Sequence, residues 1–329
     1  MPEKKPTEAG LGVTTRGVWT RKAALEVLSR SRIQTRLGDG SWQVVWPGVY
    51  ADGGVELDHE QRGIAAVLAS GGDLERRKVL KAVTCGRTAA RVHRFPLIDD
   101  HDPATGATEH LLDDVAVRYT AAALTVQQPD GSVRTLSRHR RAYRGVEIVR
   151  RPSGLYVSSP LRTLVDCAGL LSHDALVCAI DDALHRHVVT AEQLAATVAA
   201  RAWCADVVAL RRAVADADIR AESPAETLAR LLLHPVLPGL VPQTELRDAR
   251  GRVVARFDLG DEDIRLAVEA DGKGAHAGMA ARDQKRDRTS NGYGWRTERC
   301  VWFELRRQQA ELRERMVEAA ADQARRHRR

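Results

Sequence analysis

Apolar residues recur at helical spacing in some segments of the chain and collect in short strand-like runs in others. Near the N terminus Thr20 precedes Ala24, Leu25 and Leu28, which predicts a capped helix over 21–28. Ile33 and Leu37, four residues apart, put a second short helix over 31–37. The turn Gly38-Asp39-Gly40 closes it. The run WQVVWPGVY, residues 42–50, is strand-like but interrupted at Pro47-Gly48, the signature of two paired strands. In the middle, residues 115–119 and 146–150 read as strands and 99–108 as a polar loop. Ser159-Pro160 opens a helix, and Ser172 and Thr190 cap two more, the latter with capping-box spacing to Gln193. Ser223-Pro224 opens another, with Glu226 completing S-x-x-E. Strands are expected over 253–259, 264–270 and 295–301, a polar helix over 279–288 and a long amphipathic helix over 305–328.

This order predicts a mixed α/β protein: a polar, disordered tail over 1–15, a unit with the helix–helix–hairpin order of a winged helix-turn-helix over 16–60, an α+β middle over 61–220, and an α/β unit over 221–329. The length of 329 residues accommodates several domains. Aromatics are only 4%, so aliphatic side chains must fill most of the core. No apolar run approaches the ~20 residues of a membrane span, and the start MPEKKPTEAG has no signal-peptide core. The expectation is a cytoplasmic protein without a membrane partner. Its cysteines, Cys85, Cys167, Cys178, Cys204 and Cys300, are scattered, with no C-x-x-C pair, and read as buried thiols.

The formal charge is +7, and 44 of the 51 cations are Arg. With abundant Ala, that skew resembles genomic base bias, so Arg content by itself is poor evidence for nucleic acid. Distribution says more: residues 1–54 and 221–329 each carry +3, the middle only +1. The stretch 134–151 holds seven Arg against Glu147 and is a candidate phosphate-binding surface. Asp181-Asp182 is read as a solvated face, and His185-x-His187 as a charged helix terminus.

The densest polar signal within an apolar setting is FDLGDEDIRLAVEADGK, residues 257–273. Glu269, Asp271 and Lys273 fall two apart, on one face if the strand stays extended. Asp258, on the preceding strand, would meet them across a hairpin. Acids that close repel one another unless a cation joins them. A hard divalent ion, Mg²⁺ or Mn²⁺, takes such oxygen ligands and supports hydrolysis of a phosphodiester. A surface hairpin with charges on its wet face is the competing explanation. Phe257, Leu259, Leu266 and Val268 weigh against it, because acids beside buried residues are costly unless paired.

The segment VEADGKGAH followed by RDQKRDRTSNGYGWRTER resembles the restriction-endonuclease-like domain related to very-short-patch-repair (Vsr) endonucleases, within the PD-(D/E)XK superfamily. The elements that match are Asp258, Glu269-x-Asp271-Gly272, His276, Asp287, Gly294-Trp295 and Arg299, with E-S-P-x-E at 222–226 as the opening helix. The resemblance covers 221–305. It implies that Asp258, Glu269 and Asp271 hold the metal, with Lys273 or His276 in a cationic or base role and Glu222 or Glu226 near the site. The chain departs from the pattern in having Asp271, not Lys, two residues after Glu269. Lys273 restores a D-x-K counted from Asp271, and both registers stay open. Glu298 occupies a strand expected to be apolar.

In the first unit Ile33 and Leu37 face inward, leaving Arg32, Thr35 and Arg36 outward with Arg30 and Gln34 at the edges. These are residue types that read the major groove and hold phosphates. Trp42 and Trp46 are expected to pack rather than touch DNA. With WPGVY, and more weakly through 85–96 and 158–166, this region is similar to the winged helix of AbiEi-type antitoxins from type IV toxin–antitoxin systems. That resemblance implies a DNA-binding repressor and a cognate toxin partner. Two functions are consistent with these readings: a DNA-binding, metal-dependent endonuclease serving repair, restriction or phage defence, or a non-catalytic antitoxin-like repressor. A scaffold that presents its long C-terminal helix to a partner is a third.

Overall fold

The computed structural model of the chain describes residues 7–75, 80–100, 112–119, 121–128, 131–201, 206–271 and 289–327. The fold is mixed α/β and divides into two compact units, 1–95 with 110–170, and 96–109 with 171–329.

The first unit begins with β1 (Val18–Thr20), α1 (Arg21–Leu25), α2 (Arg30–Gly38), β2 (Trp42–Trp46) and β3 (Val49–Asp52). Its strands form an antiparallel sheet in the order β1-β3-β2. Thr20 caps α1 as expected, accepting from the Ala23 N–H at 3.2 Å. The helix ends at Leu25, short of the expected 28, and Ser29 starts α2 by accepting from Arg32 N–H. Ala24, Leu28 and Ile33 pack against Trp19, Trp42 and Tyr50. Trp42 meets Trp19 edge-on at 4.9 Å and stacks on Tyr50 at 5.9 Å, so it belongs to the core, as does the fully buried Trp46.

Val18, Val45, Trp46, Val49 and Ala51 pack on Ile64 and Val67 of α3 (His59–Ala69). The same core continues into a six-stranded sheet. Its members are β4 (Ala82–Thr84), β5 (Leu112–Val117), β6 (Leu124–Gln127), β7 (Val133–Arg140), β8 (Ile148–Arg150) and β9 (Tyr156–Ser158), in the order β6-β7-β5-β4-β9-β8. Helices α4 (Gly86–Val92) and α5 (Pro160–Cys167) complete the unit. The segment 16–60 is therefore not set apart: three short strands and two short helices bury too little to stand alone, and they share apolar surface with α3 and the six-stranded sheet. Residues 8–10 and 13–15, assigned by sequence to a disordered tail, form 3₁₀ turns. The strand expected over 146–150 is a 3₁₀ turn, Gly145–Glu147, followed by β8.

The second unit contains α6 (His173–His185), α7 (Ala191–Ala200), α8 (Val207–Ala215) and α9 (Pro224–Leu233). A four-stranded sheet comes next: β10 (Val241–Arg247), β11 (Val253–Asp261), β12 (Leu266–Asp271) and β13 (Arg296–Val301), in sequential order. Only the β12–β13 pair is parallel, which requires the long connection between them. The chain ends in α10 (Trp302–Arg307) and α11 (Gln309–His327). Gln308 leaves helical geometry, so the single helix expected over 305–328 is two.

Leu259, Val268 and Cys300 of the sheet pack with Leu228 and Leu232 of α9 and Leu312 and Met316 of α11. Ala175 and Cys178 of α6 join that core, which is why 171–220 belongs here and not with 61–170. Phe257, Ala267 and Trp295 form a second cluster, the two rings stacked at 4.9 Å. Asp181 corrects the sequence reading of a solvated face. It is buried and accepts from Arg230 Nη2 and Thr227 Oγ1, each at 2.8 Å, and from Asp218 N–H at 2.7 Å. Cys85, Cys167, Cys178 and Cys300 are buried and unoxidised; Cys204 lies outside the described residues. Among the described residues, no helix is long and apolar enough to cross a membrane.

Candidate active site

The strand register assembles the site. Leu259 pairs with Val268 across the β11–β12 hairpin, so the next position sets Asp258 beside Glu269. Pro242 pairs with Leu259 and Thr244 with Phe257, which sets Gln243 of β10 opposite Asp258. In the parallel pair Glu269 is opposite Arg299 of β13. Gln243, Asp258, Glu269 and Arg299 thus form one row across all four strands. Regular pairing of β11 with β12 stops at Leu259. Beyond it Asp258 Oδ2 accepts from the Ala270 N–H at 2.8 Å, so the aspartate side chain replaces a ladder bond and fixes the end of β11 against β12.

Glu269 is 5% exposed, in the interior of the sheet. Burying a carboxylate there is costly without compensation. Asp271 is half-buried at the end of β12, level with Val301. Burial pushes the Cys300 thiol up to about 12. The charges of Glu304, Asp258 and Asp271 act in the same direction, placing both aspartates within electrostatic reach of one sulfur. Lys273, His276 and Asp287, with the helix expected over 279–288, lie outside the described residues.

The opening helix supplies a carboxylate, though not the residue that sequence reasoning favours. Glu222 points outward, and both its oxygens accept from the Arg256 guanidinium, at 2.8 and 3.0 Å. Glu226 is the buried one. Ser223 caps α9 by accepting from Glu226 N–H at 3.2 Å, but the Glu226 carboxylate reaches past the cap to accept from Glu222 N–H at 2.9 Å. The same Oε2 accepts from Gln243 Nε2 at 2.8 Å. Burial raises the Glu226 carboxyl above its ordinary range, the nearby Asp258 and Glu222 charges add to the rise, and the Glu222 N–H bond opposes it.

Gln243 carries no sequence signal of its own, and neither does β10. Pro242 interrupts a strand pattern that Leu240, Thr244 and Leu246 would otherwise show. The proline is tolerated because β10 is an edge strand. Gln243 itself has φ +56°, a left-handed backbone uncommon for a residue with a side chain. Gly260 on β11 is required by close approach, since a Cβ there would meet the Thr244 side chain at 2.6 Å. Glu298, the acid expected to disturb β13, is paired with Arg296 at 2.7 Å and with Arg315 of α11 at 3.2 Å.

In the first unit Arg30, Arg32, Gln34 and Thr35 lie exposed along α2, while Ile33 is buried beneath them. The Thr35 hydroxyl donates to Ser31 O at 3.1 Å. Arg36 is half-buried and engaged by Glu8, with Nη2 at 2.8 Å and Nε at 3.0 Å from the same oxygen.

Among the described residues no group of three or more His, Cys, Asp or Glu stands close enough to hold a metal ion. No protein-family model matches the chain. Two curated relatives from Mycobacterium tuberculosis, the uncharacterized proteins Rv2248 of strain H37Rv and MT2308 of strain CDC 1551, are each 28% identical over 295 residues, spanning 88% of this chain and 96% of theirs. No solved structure matches it.

Proposed function

We propose that the protein is a DNA-binding hydrolase of phosphodiesters, with its reaction centre on the four-stranded sheet and its duplex-holding surface on α2. The observation that carries the reading is the side-by-side placement of Asp258 and Glu269, with the buried Glu226 close enough for Asp258 to raise its pKa. Carboxylates are brought together there in a setting that penalises their charge.

The donor set suits a hard divalent ion. The oxygens of Asp258 and Glu269 would hold Mg²⁺ or Mn²⁺, with Asp271 in support, and the ion would offset the Asp258 charge that adds to the burial-driven rise of Glu226. Bound there, it would supply charge neutralisation and an activated water for in-line attack on phosphorus. The chain's own groups position the centre. The Ala270 N–H orients Asp258, and Gln243 with the Glu222 N–H fixes Glu226. The winged-helix reading of 16–60 rests on the helix–helix–hairpin order, with Arg30, Arg32 and Gln34 directed to solvent. That face is basic and fits phosphate and major-groove contacts.

The test is cleavage of plasmid and short duplexes in Mg²⁺, Mn²⁺ or EDTA, beside Glu269→Ala and Asp258→Asn. Metal-dependent cutting lost in both variants supports the hydrolase. Binding without cutting in every metal overturns it and leaves the antitoxin-like repressor, for which capture of a cognate toxin becomes the next measurement.

A further inference from the structure

We propose that the first unit carries a second binding site, a basic cleft over the six-stranded sheet that takes a nucleoside phosphate. The cleft encloses about 830 Å³. Its floor is apolar, formed by Ala82, Val83 and Ala116, all buried. Its walls carry Lys81, Arg118, Arg140, Arg141 and Arg150, and among the described residues no Asp or Glu lines it.

Several other arginines of this unit are taken up by carboxylates: Arg16 by Asp58, Arg87 by Asp114, Arg151 by Glu60 and Arg162 by Glu147. Lys81, Arg118 and Arg140 have no carboxylate partner among the described residues. Three unneutralised positive charges around one concavity raise the local concentration of anions and reward a ligand that carries several negative charges.

The inner wall is held rigidly. Fully buried Asp166 accepts from Arg141 Nη1 at 2.6 Å, from Arg162 Nε at 2.9 Å and from the Tyr143 hydroxyl at 2.8 Å. The Arg162 guanidinium lies 4.6 Å over the Tyr143 ring. Arg141 and Tyr143 are thereby fixed before any ligand arrives, which lowers the ordering cost of binding.

Size and lining select the ligand. Small-molecule sites enclose roughly 300–1,000 Å³, far more than inorganic phosphate fills. An apolar floor beneath a cationic rim matches a molecule with a flat, weakly polar body and a phosphate group. A nucleoside phosphate has that chemistry, whether free or as the 5′ end of a nucleic-acid strand.

Titration calorimetry on the full chain in EDTA separates this site from the reaction centre. The probes are AMP, ATP, inorganic phosphate and a 5′-phosphorylated trinucleotide, against wild type, Arg118→Ala/Arg140→Ala and Asp258→Asn. AMP or ATP is expected to bind more tightly than phosphate. Affinity should fall at least about tenfold in the double variant, through two lost charge-assisted contacts, and stay unchanged in Asp258→Asn. Preference for the trinucleotide assigns the cleft to a strand end, and preference for the mononucleotides assigns it to a free ligand. If the double variant does not fold, Arg118→Glu, a single change at an exposed strand end, replaces it with the same expected loss. No binding at millimolar probe, or equal affinity in wild type and the cleft variants, overturns the proposal.

Discussion

Gln243 donates from Nε2 to Glu226 Oε2 across 2.8 Å, and it does so from a backbone held at φ +56° on an edge strand. The bond ties β10 to the start of α9 beside Asp258. A side chain in the left-handed region costs about 1–2 kcal/mol relative to the right-handed one, so the position keeps a side chain at some expense.

That expense can be measured by two substitutions that remove the same hydrogen bond. Gln243→Gly accepts the backbone without penalty, whereas Gln243→Ala keeps it. Urea denaturation should find Gln243→Ala less stable than Gln243→Gly by about 1 kcal/mol. The reverse order would show that the local backbone imposes no cost. In both, Glu226 keeps its Glu222 N–H donor but loses the Gln243 amide, and plasmid cleavage should drop together with the lost positioning.

Glu226 links stability to pH in a defined direction. Its folded pKa is raised above the ordinary 4.5. Between the two values the folded state holds a proton that the unfolded state has released, so stability falls as pH rises through that window. The contribution is fully present below the ordinary 4.5 and is lost as pH rises through the raised folded value. Glu226→Gln mimics the protonated form and removes the dependence. Its stability relative to wild type should therefore grow between pH 4 and 7 in metal-free urea titrations. A constant difference across that range would mean that the carboxyl titrates normally. Added Mg²⁺ should narrow the gap by stabilising the wild-type carboxylates.

The mixed α/β class, the helix–helix–hairpin order and the caps at Thr20, Ser159, Ser172, Thr190 and Ser223 were legible in the sequence, because each rests on local spacing and side-chain chemistry. The pairing of Asp258 with Glu269 was legible for a similar reason, since a hairpin of two apolar strands leaves few registers. Other features depend on distant partners. Asp181 reads as a surface acid until Arg230, 49 residues away, is seen beside it. The choice between Glu222 and Glu226 turns on Arg256, which draws the first outward. Strand β10 is concealed by Pro242, and the division into units depends on which helices share apolar surface, as α6 does with α9. None of these leaves a trace in periodicity.

The Asp166 network is expected to dominate the stability of the first unit. One buried carboxylate receives two guanidinium groups and a phenol. Asp166→Ala leaves Arg141 short of a counter-charge in a half-buried setting and Arg162 dependent on Glu147, with a cost of about 3–5 kcal/mol by urea denaturation. Asp166→Asn keeps the shape and one acceptor and should recover part of that. A loss below about 1 kcal/mol in Asp166→Ala would indicate that water serves Arg141 and that Glu147 alone suffices for Arg162.

Glu8 offers the final test, on the α2 face. Its carboxylate holds Arg36 through Nε and Nη2 at 3.0 and 2.8 Å, while Arg30 and Arg32 on the same helix remain exposed. A partly exposed pair of this kind contributes about 1 kcal/mol or less to folding, so Glu8→Ala should leave the melting temperature nearly unchanged. Its effect on duplex affinity should be larger. Freeing Arg36 adds one cation able to neutralise a phosphate, which steepens the dependence of log affinity on log salt by about one unit and tightens binding at low salt. Arg30→Ala/Arg32→Ala should shift the slope by about two units in the opposite direction. Filter binding or fluorescence anisotropy between 50 and 300 mM salt (about the range over which the term is resolved) measures both. An unchanged slope in the arginine variant would remove α2 from the DNA-holding surface and return its basic face to ordinary solvation.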